Sequence, residues 1–323
     1  MNIQRWIARK EPNWKQLEAL LQKTERKGLP SLSAAELRSL SSLYRAVSAD
    51  LARARTYQVG QTLVQSLQRL TGRAYSQIYQ GYRRQNWQGA IDFYLTGFPR
   101  VVQETLPYTL LATAIFGLAG LVAWWFSWRD PSFMALIVPD HIISLVRDQG
   151  KLWMGSIMDD SPGGSSNIMV NNLTVSFRVV AGGITAGLLT TWALIINGLL
   201  IGAVATLVGQ NNLAYPFWAF VCPHGSLELP AIFLAGGAGF LLARALLFPG
   251  QYRRVDAFKV YGLKAAHLVY GIVPMLVIAG TIEGFFSPNP IIPAPIKYLV
   301  GLLLLVGLIA YCSRTFPAIE GSD

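Results

Sequence analysis

Reactive side chains are scarce in this sequence. Its 323 residues include only two cysteines and three histidines. Cys222 and Cys312 lie in apolar surroundings far apart in the chain, so they imply no disulfide framework. The sequence has no H-E-x-x-H helix, no G-x-S-x-G turn and no phosphate-binding glycine loop. We therefore expect no enzymatic activity and no metal or other cofactor.

Charged residues are also scarce. They make up 14% of the chain, against about 25% in typical soluble domains. Runs of about 20 apolar residues are long enough to cross a bilayer as helices. The sequence has five apolar blocks, at residues 106–128, 175–208, 227–248, 265–286 and 296–311. This pattern predicts an all-α, polytopic membrane protein with about five membrane-embedded helical segments and the lipid bilayer as its surroundings.

The few charges are unevenly placed. Residues 1–100 hold 16 Lys/Arg and 6 Asp/Glu, while the rest of the chain holds 11 of each. Basic segments beside membrane spans stay on the cytoplasmic side. We therefore predict a basic cytoplasmic helical domain at 1–100, ending in an interfacial helix, and a transmembrane domain at 101–323. The loop 129–172, with three basic and five acidic residues, is predicted to be exoplasmic. No aromatic-studded basic patch indicates nucleic-acid binding.

The N-terminal domain is predicted to be a bundle of three or four helices. Ser33 and Glu36 have the spacing of a capping box, which predicts a helix that begins at Ala34. Four polar residues on that helix are predicted to form a fixed cluster that contacts another helix or subunit: Tyr44, Arg45, Asp50 and Arg53.

The segment 216–230 combines helix-breaking residues with ionisable ones. Pro223, Gly225 and Pro230 predict a break in the helix. We therefore expect a broken or re-entrant hairpin at 213–248, with Ser226 capping its second helix. The block 175–208 would then be one long tilted span. A second model, in which 175–208 folds into two spans, remains open.

Four polar residues form the candidate functional site within the membrane: His224, Ser226, Glu228 and Glu283. Ionisable residues at membrane depth are functional candidates, although a structural role, in which Glu228 caps a helix at the water interface, is the more common one for such a residue. Cys222, His224 and Glu228 are zinc-type ligands, but they do not complete a recognised set. We predict interhelical hydrogen bonds at three asparagines, Asn171, Asn172 and Asn197.

Several motifs occur together in a fixed order. They are Tyr44-Arg45, residues 49–55 (Ala-Asp-Leu-Ala-Arg-Ala-Arg), Asn171-Asn172, residues 197–202 (Asn-Gly-Leu-Leu-Ile-Gly), Pro223-His224-Gly225, Glu228-Leu229-Pro230 and Glu283-Gly284-Phe285. With this set the chain resembles the stage II sporulation protein M family. The resemblance implies a multi-spanning scaffold that holds peptidoglycan-cleaving enzymes at a membrane.

The resemblance leads to one main function hypothesis and two alternatives. The main hypothesis is a homodimeric scaffold for cell-envelope enzymes in a bacterial-type inner (or thylakoid-like) membrane. The first alternative is a small-solute or lipid transporter or channel built around His224 and Glu228, and the second is an intramembrane hydrolase. A water-filled cavity that reaches Glu228 favours transport, whereas a dry, packed site favours the scaffold.

Overall fold

A computed structural model of the chain describes residues 3–80, 87–154 and 161–315, and all regular elements in these ranges are helical. The all-α fold class is confirmed. The chain divides into two compact units, Met1–Gly89 and Ala90–Asp323. The division falls inside the expected interfacial helix, so residues 90–100 belong to the second unit.

The first unit, called here the N-terminal unit, has three long helices: α1 (Ile3–Lys27), α2 (Ala34–Thr56) and α3 (Gln61–Tyr75). A 3-10 turn covers Leu29–Ser31, and α3 continues as a π-helix over Ser76–Gln80. The capping box at Ser33 and Glu36 is confirmed, with both hydrogen bonds made. Fully buried leucines from all three helices form the core: Leu17, Leu21, Leu40 and Leu67.

The second unit, called here the membrane unit, contains all the strongly apolar helices. The short helix α4 (Trp87–Asp92) crosses the division between the units. The elements that follow are a π-helix (Phe93–Gly97), α5 (Phe98–Glu104), α6 (Leu106–Arg129), α7 (Pro131–Ala135), α8 (Asp140–Gln149), α9 (Ser161–Ala181), α10 (Leu188–Gln210), α11 (Ala214–Leu247), α12 (Arg254–Thr281), a π-helix (Ile282–Phe286) and α13 (Ala294–Cys312). Five of these are long and apolar enough to cross a membrane: α6, α10, α11, α12 with its π-helix, and α13. The chain is therefore an integral membrane protein.

The first correction concerns the block 175–208. The preferred single tilted span is wrong, because the chain turns sharply at a 3-10 helix (Gly182–Thr185) followed by Ala186 and Gly187 in left-handed backbone conformations. The turn brings the Thr190 hydroxyl to the Val179 carbonyl, to which it donates at 2.7 Å. The two-span model is closer to the structure. However, its first helix, α9, begins at Ser161, so the predicted loop 129–172 ends earlier than expected.

The second correction concerns the predicted break. Helix α11 is continuous from Ala214 to Leu247 with Pro223 and Pro230 inside it, so the re-entrant hairpin is wrong. Ser226 does not cap a helix, and its hydroxyl donates to the Pro223 carbonyl at 2.8 Å. Prolines are tolerated in membrane helices whose neighbours hold them in place. Helix α11 has such neighbours, since α6, α9, α10, α12 and α13 all pack against it.

Helices α6 and α10 run in the same direction. Residues one turn apart on α10 contact residues one turn apart on α6 in the same order: Gly198 with Phe116, Gly202 with Gly120, and Thr206 with Trp124. We call the end of the bundle where these helices finish the loop end. There, residues 131–154 fold into a small cap whose buried side chains join a hydrophobic cluster with α10 and α11: Met134, Val138, Ile143, Val146 and Met154.

Candidate functional site

A cavity of about 480 Å³ lies at the loop end of the membrane unit, between the cap, α9, α10 and α11. Its polar lining consists of two asparagines, a histidine and two glutamates: Asn171, Asn172, His224, Glu228 and Glu283. Aromatic side chains form much of the remaining wall, namely Trp153, Phe217, Trp218 and Phe220. The cavity is therefore apolar overall, with its polar groups concentrated on a few neighbouring side chains.

Three of the polar side chains form a compact cluster. One ligand-type atom from each of His224, Glu228 and Glu283 lies within 4.8 Å of the other two. His224 and Glu228 share a face of α11, because residues four apart are neighbours on a helix. The continuous helix thus brings these two residues together without the predicted break. Glu283 comes from the π-helix that follows α12, and its carboxylate lies 3.9 Å from His224 Nε2.

The histidine is held in place from the other side of its ring. His224 Nδ1 lies 3.1 Å from the hydroxyl of Ser287, and both residues are buried. Ser287 is itself fixed, since its N–H donates to the Ile282 carbonyl at 2.8 Å and its carbonyl accepts from Lys297 Nζ at 2.6 Å. This arrangement leaves the Nε2 atom facing Glu283.

Most of the residues predicted for the membrane site line this cavity, but Asn197 and Ser226 do not. Asn171 and Asn172 lie in α9 and line the same cavity as His224, Glu228 and Glu283. Asn197 lies elsewhere: its side-chain amide donates to the Ala193 carbonyl of its own helix at 2.8 Å. Ser226 makes its hydrogen bond within α11. The predicted interhelical hydrogen bond of Asn197 is therefore wrong.

In the predicted Tyr44–Arg53 cluster, Asp50 makes the expected contacts with another helix. Asp50 is 1% exposed, accepts a hydrogen bond from Trp14 Nε1 at 3.1 Å and forms an ion pair with Lys10 at 3.6 Å. Tyr44 packs against the hydrophobic core of the N-terminal unit. Arg45 and Arg53 are exposed, and neither forms an ion pair with a described residue.

Two residues of the site were not predicted from the sequence. Ser287 directly follows the π-helix and contacts His224, and Trp153 lines the cavity from the cap, which was expected to be an open loop. One sequence signal was available at Ser287, because the Ser-Pro pair at 287–288 ends the apolar block beside Glu283. A π-helix at this point is also typical of functional sites.

Comparison with known proteins gives matches in both units. Residues 112–288 match the family model described as stage II sporulation protein M. The chain belongs to the stage II sporulation protein M family. Residues 4–80 match a second model, described as a domain of unknown function. The match to the stage II sporulation protein M family covers the five polar residues of the cavity and does not extend into the N-terminal unit.

One curated relative and no solved structure were found. An uncharacterized protein of Methanocaldococcus jannaschii is 37% identical over 75 residues, which cover 23% of this chain and 42% of the relative. The chain thus matches less than half the length of that relative. No solved structure matches the chain.

Proposed function

We propose that this protein is an integral membrane scaffold that positions cell-envelope proteins, including peptidoglycan-remodelling enzymes, and that it catalyses no reaction itself. Membership of the stage II sporulation protein M family supports this function. The observation that carries the proposal is the folded cap at residues 131–154, which gives the bundle a defined surface outside its apolar helices.

The cap is fixed to the bundle by its hydrophobic contacts. Met134 and Val146 are fully buried and pack in one cluster with Leu207 and Val208 of α10. A surface held in this way binds a partner with a smaller loss of conformational entropy than a mobile loop would. Leu136 lies on this cap, is 82% exposed, and supplies an apolar contact point for a partner.

The proposal includes an orientation and an oligomeric state. The N-terminal unit lies in the cytoplasm, the cap lies on the exoplasmic side of a bacterial-type inner (or thylakoid-like) membrane, and two copies form a homodimer. The positive-inside rule supports the orientation. With Cys222 and Cys312 replaced by serine, an impermeant thiol reagent should label Ser144→Cys on α8 in intact cells. It should label Ser42→Cys on α2 only after permeabilisation, and the reverse pattern would overturn the orientation.

Photocrosslinking in cells tests the scaffold directly. A photoreactive amino acid in place of Leu136 should give adducts with envelope proteins. The same amino acid in place of Leu302, which is 58% exposed on the apolar helix α13, is the control and should give none. Equal yields of envelope-protein adducts at both positions, or none at Leu136, would contradict the proposal.

A solute carrier is the second candidate function, because the cavity reaches Glu228. Toward the other end of the bundle, the helices are filled by buried apolar side chains, including Ala235, Ala238, Leu241 and Leu268. Transport would require this packed region to open. Proteoliposomes containing a proton-sensitive or zinc-sensitive dye test this function, since a carrier of either ion would change the dye signal and a scaffold would not.

A further inference from the structure

We propose that His224, Glu228 and Glu283 bind a divalent transition-metal ion, of which Zn²⁺ is the representative, at the inner wall of the loop-end cavity. The inference is independent of the scaffold function, since a scaffold or a carrier could each contain such a site. It also departs from the expectation of no metal, which was based on residues close together in sequence. Glu283 lies on a different helix from the other two and completes the ligand set.

The geometry suits one ion. Zn²⁺ is bound by imidazole nitrogen and carboxylate oxygen at about 2.0–2.2 Å, so two ligand atoms around one ion lie about 3.5 Å apart. The three ligand atoms lie within 4.8 Å of one another before any ion is present. Binding of one ion would therefore bring the ligand atoms closer by up to about 1.3 Å, through rotation of the two glutamate side chains.

The surroundings of His224 orient it as a ligand. Metal-bound histidines usually engage the ring nitrogen that does not bind the metal in a hydrogen bond, which fixes the ring. The hydroxyl of Ser287 serves this role at Nδ1. The nitrogen that remains, Nε2, is the one that faces the Glu283 carboxylate.

The two glutamates of the cluster have no lysine or arginine partner among the described residues. Glu283 Oε2 is buried and has no hydrogen-bond donor among the described residues. Within the same residues, neither Glu228 nor Glu283 forms an ion pair with a lysine or arginine, and Lys297 donates to the Ser287 carbonyl instead. A buried carboxylate without a partner is costly. A bound cation would satisfy both glutamates at once.

The ligand types decide between classes of cation. Ca²⁺ takes six to eight oxygen ligands, and Mg²⁺ is bound mainly through oxygen and keeps several waters. An imidazole ligand favours zinc and other transition metals instead. Three protein ligands leave a fourth position open, and the cavity that the three residues line provides space for a water molecule.

Zinc titration of the full chain in lipid nanodiscs tests the proposal. After treatment with a chelator, the protein should bind one Zn²⁺ per chain, measured by calorimetry and by elemental analysis after desalting, and Zn²⁺ should raise its Tm. Mg²⁺ at the same concentration should leave the Tm unchanged. His224→Gln and the double variant Glu228→Gln/Glu283→Gln should each weaken Zn²⁺ binding by at least tenfold, on the order of the loss seen when metal sites lose a supporting residue.

Substitutions outside the cluster serve as controls for the Zn²⁺ titration. His141→Gln, on the exposed face of α8, and Glu104→Gln, whose partner is Lys264, should retain one Zn²⁺ per chain with unchanged affinity. Variants are compared only after far-UV circular dichroism shows equal helix content. If His224→Gln does not fold, Glu283→Gln alone and the Co²⁺ absorption spectrum of the unmodified protein decide. Absence of Zn²⁺ binding by the unmodified protein, or equal binding by the folded double variant, would overturn the proposal.

Discussion

The two units of this molecule surround acidic side chains of low exposure in opposite ways. In the N-terminal unit, the buried carboxylate of Asp50 has a hydrogen bond from Trp14 and an ion pair with Lys10. In the membrane unit, Glu228 and Glu283 lie beside a cavity, and Glu283 Oε2 has no donor among the described residues. A buried charge with its partners in place serves the fold, and removing one partner is costly. A buried charge without partners is available to a ligand.

The units also differ in how their helices pack. Leucines fill the core of the N-terminal unit, whereas glycines in the membrane unit let backbones touch. A Cβ atom added to Gly202 would lie 2.1 Å from the carbonyl oxygen of Gly120. Close approach of this kind is typical of helix packing in membranes.

The largest expected effect follows from this glycine packing. Gly202→Ala should lower the free energy of unfolding by about 3 kcal/mol, the upper part of the usual range for overpacking, because two backbones must separate. Thermal unfolding in detergent, followed by circular dichroism, measures it. Gly209→Ala is the matched control on the same helix, since no atom lies within 4 Å of its added Cβ. Equal stability of the two variants would contradict the account of the packing.

A smaller effect is expected at Asp50. Asp50→Ala should reduce the stability of the N-terminal unit by about 1–3 kcal/mol, because the indole N–H of Trp14 loses its acceptor in a buried position. Hydrogen exchange of peptides from α1, α2 and α3, followed by mass spectrometry, measures the stability of this unit within the full chain. Arg53→Ala, at an exposed position, should change stability by less than about 0.5 kcal/mol. If both variants behave alike, Asp50 belongs to a solvated surface.

The smallest expected effect is a loss of stability of the N-terminal unit at low pH. The side chain of Lys23 and the backbone and hydroxyl of Ser33 hydrogen-bond to Glu36 and lower its pKa from 4.5 to about 2. Since the folded pKa lies below the unfolded value, the stabilisation is present above about pH 4.5 and is lost as the pH falls toward 2. Side-chain carboxyl NMR of the full chain in detergent should show a midpoint near 2, assigned with Glu36→Gln. A midpoint near 4.5 would show that the capping box and the Lys23 contact are absent in solution.

A second carboxyl group in the N-terminal unit, that of Glu18, also has a lowered pKa. Hydrogen bonds from Arg73 lower the pKa of Glu18. Replacing Arg73 with glutamine should therefore raise the pKa of Glu18 toward its ordinary value, which the same NMR titration measures. An unchanged Glu18 midpoint in Arg73→Gln would show that this ion pair does not persist.

The sequence predicted local features better than contacts between distant residues. The capping box at Ser33 is local, and five apolar blocks were enough to identify a polytopic membrane protein. The start of α9 was assigned to a loop because its residues 161–166 are serine, proline and glycine, which are typical of flexible segments. Its polar residues Asn171 and Asn172 line the cavity, and that arrangement could not be predicted from local sequence.

The prolines of α11 misled the sequence prediction for a different reason. Pro223 and Pro230 break isolated helices, but α11 stays continuous among the helices that pack around it. The approach of Glu283 to His224 depends on the packing of α12 against α11, which no pattern within either segment reveals. The candidate residues were therefore found from the sequence, while their arrangement required the structure.

Anomalous X-ray diffraction at the zinc edge, from crystals of the full chain grown with Zn²⁺, would locate the metal ion itself. We expect one strong peak about 2 Å from His224 Nε2 and from one oxygen each of Glu228 and Glu283. We also expect loss of that peak in Glu228→Gln/Glu283→Gln. A peak only at His141 or His267, or no peak in crystals that contain zinc, would show that the cluster is not a cation site.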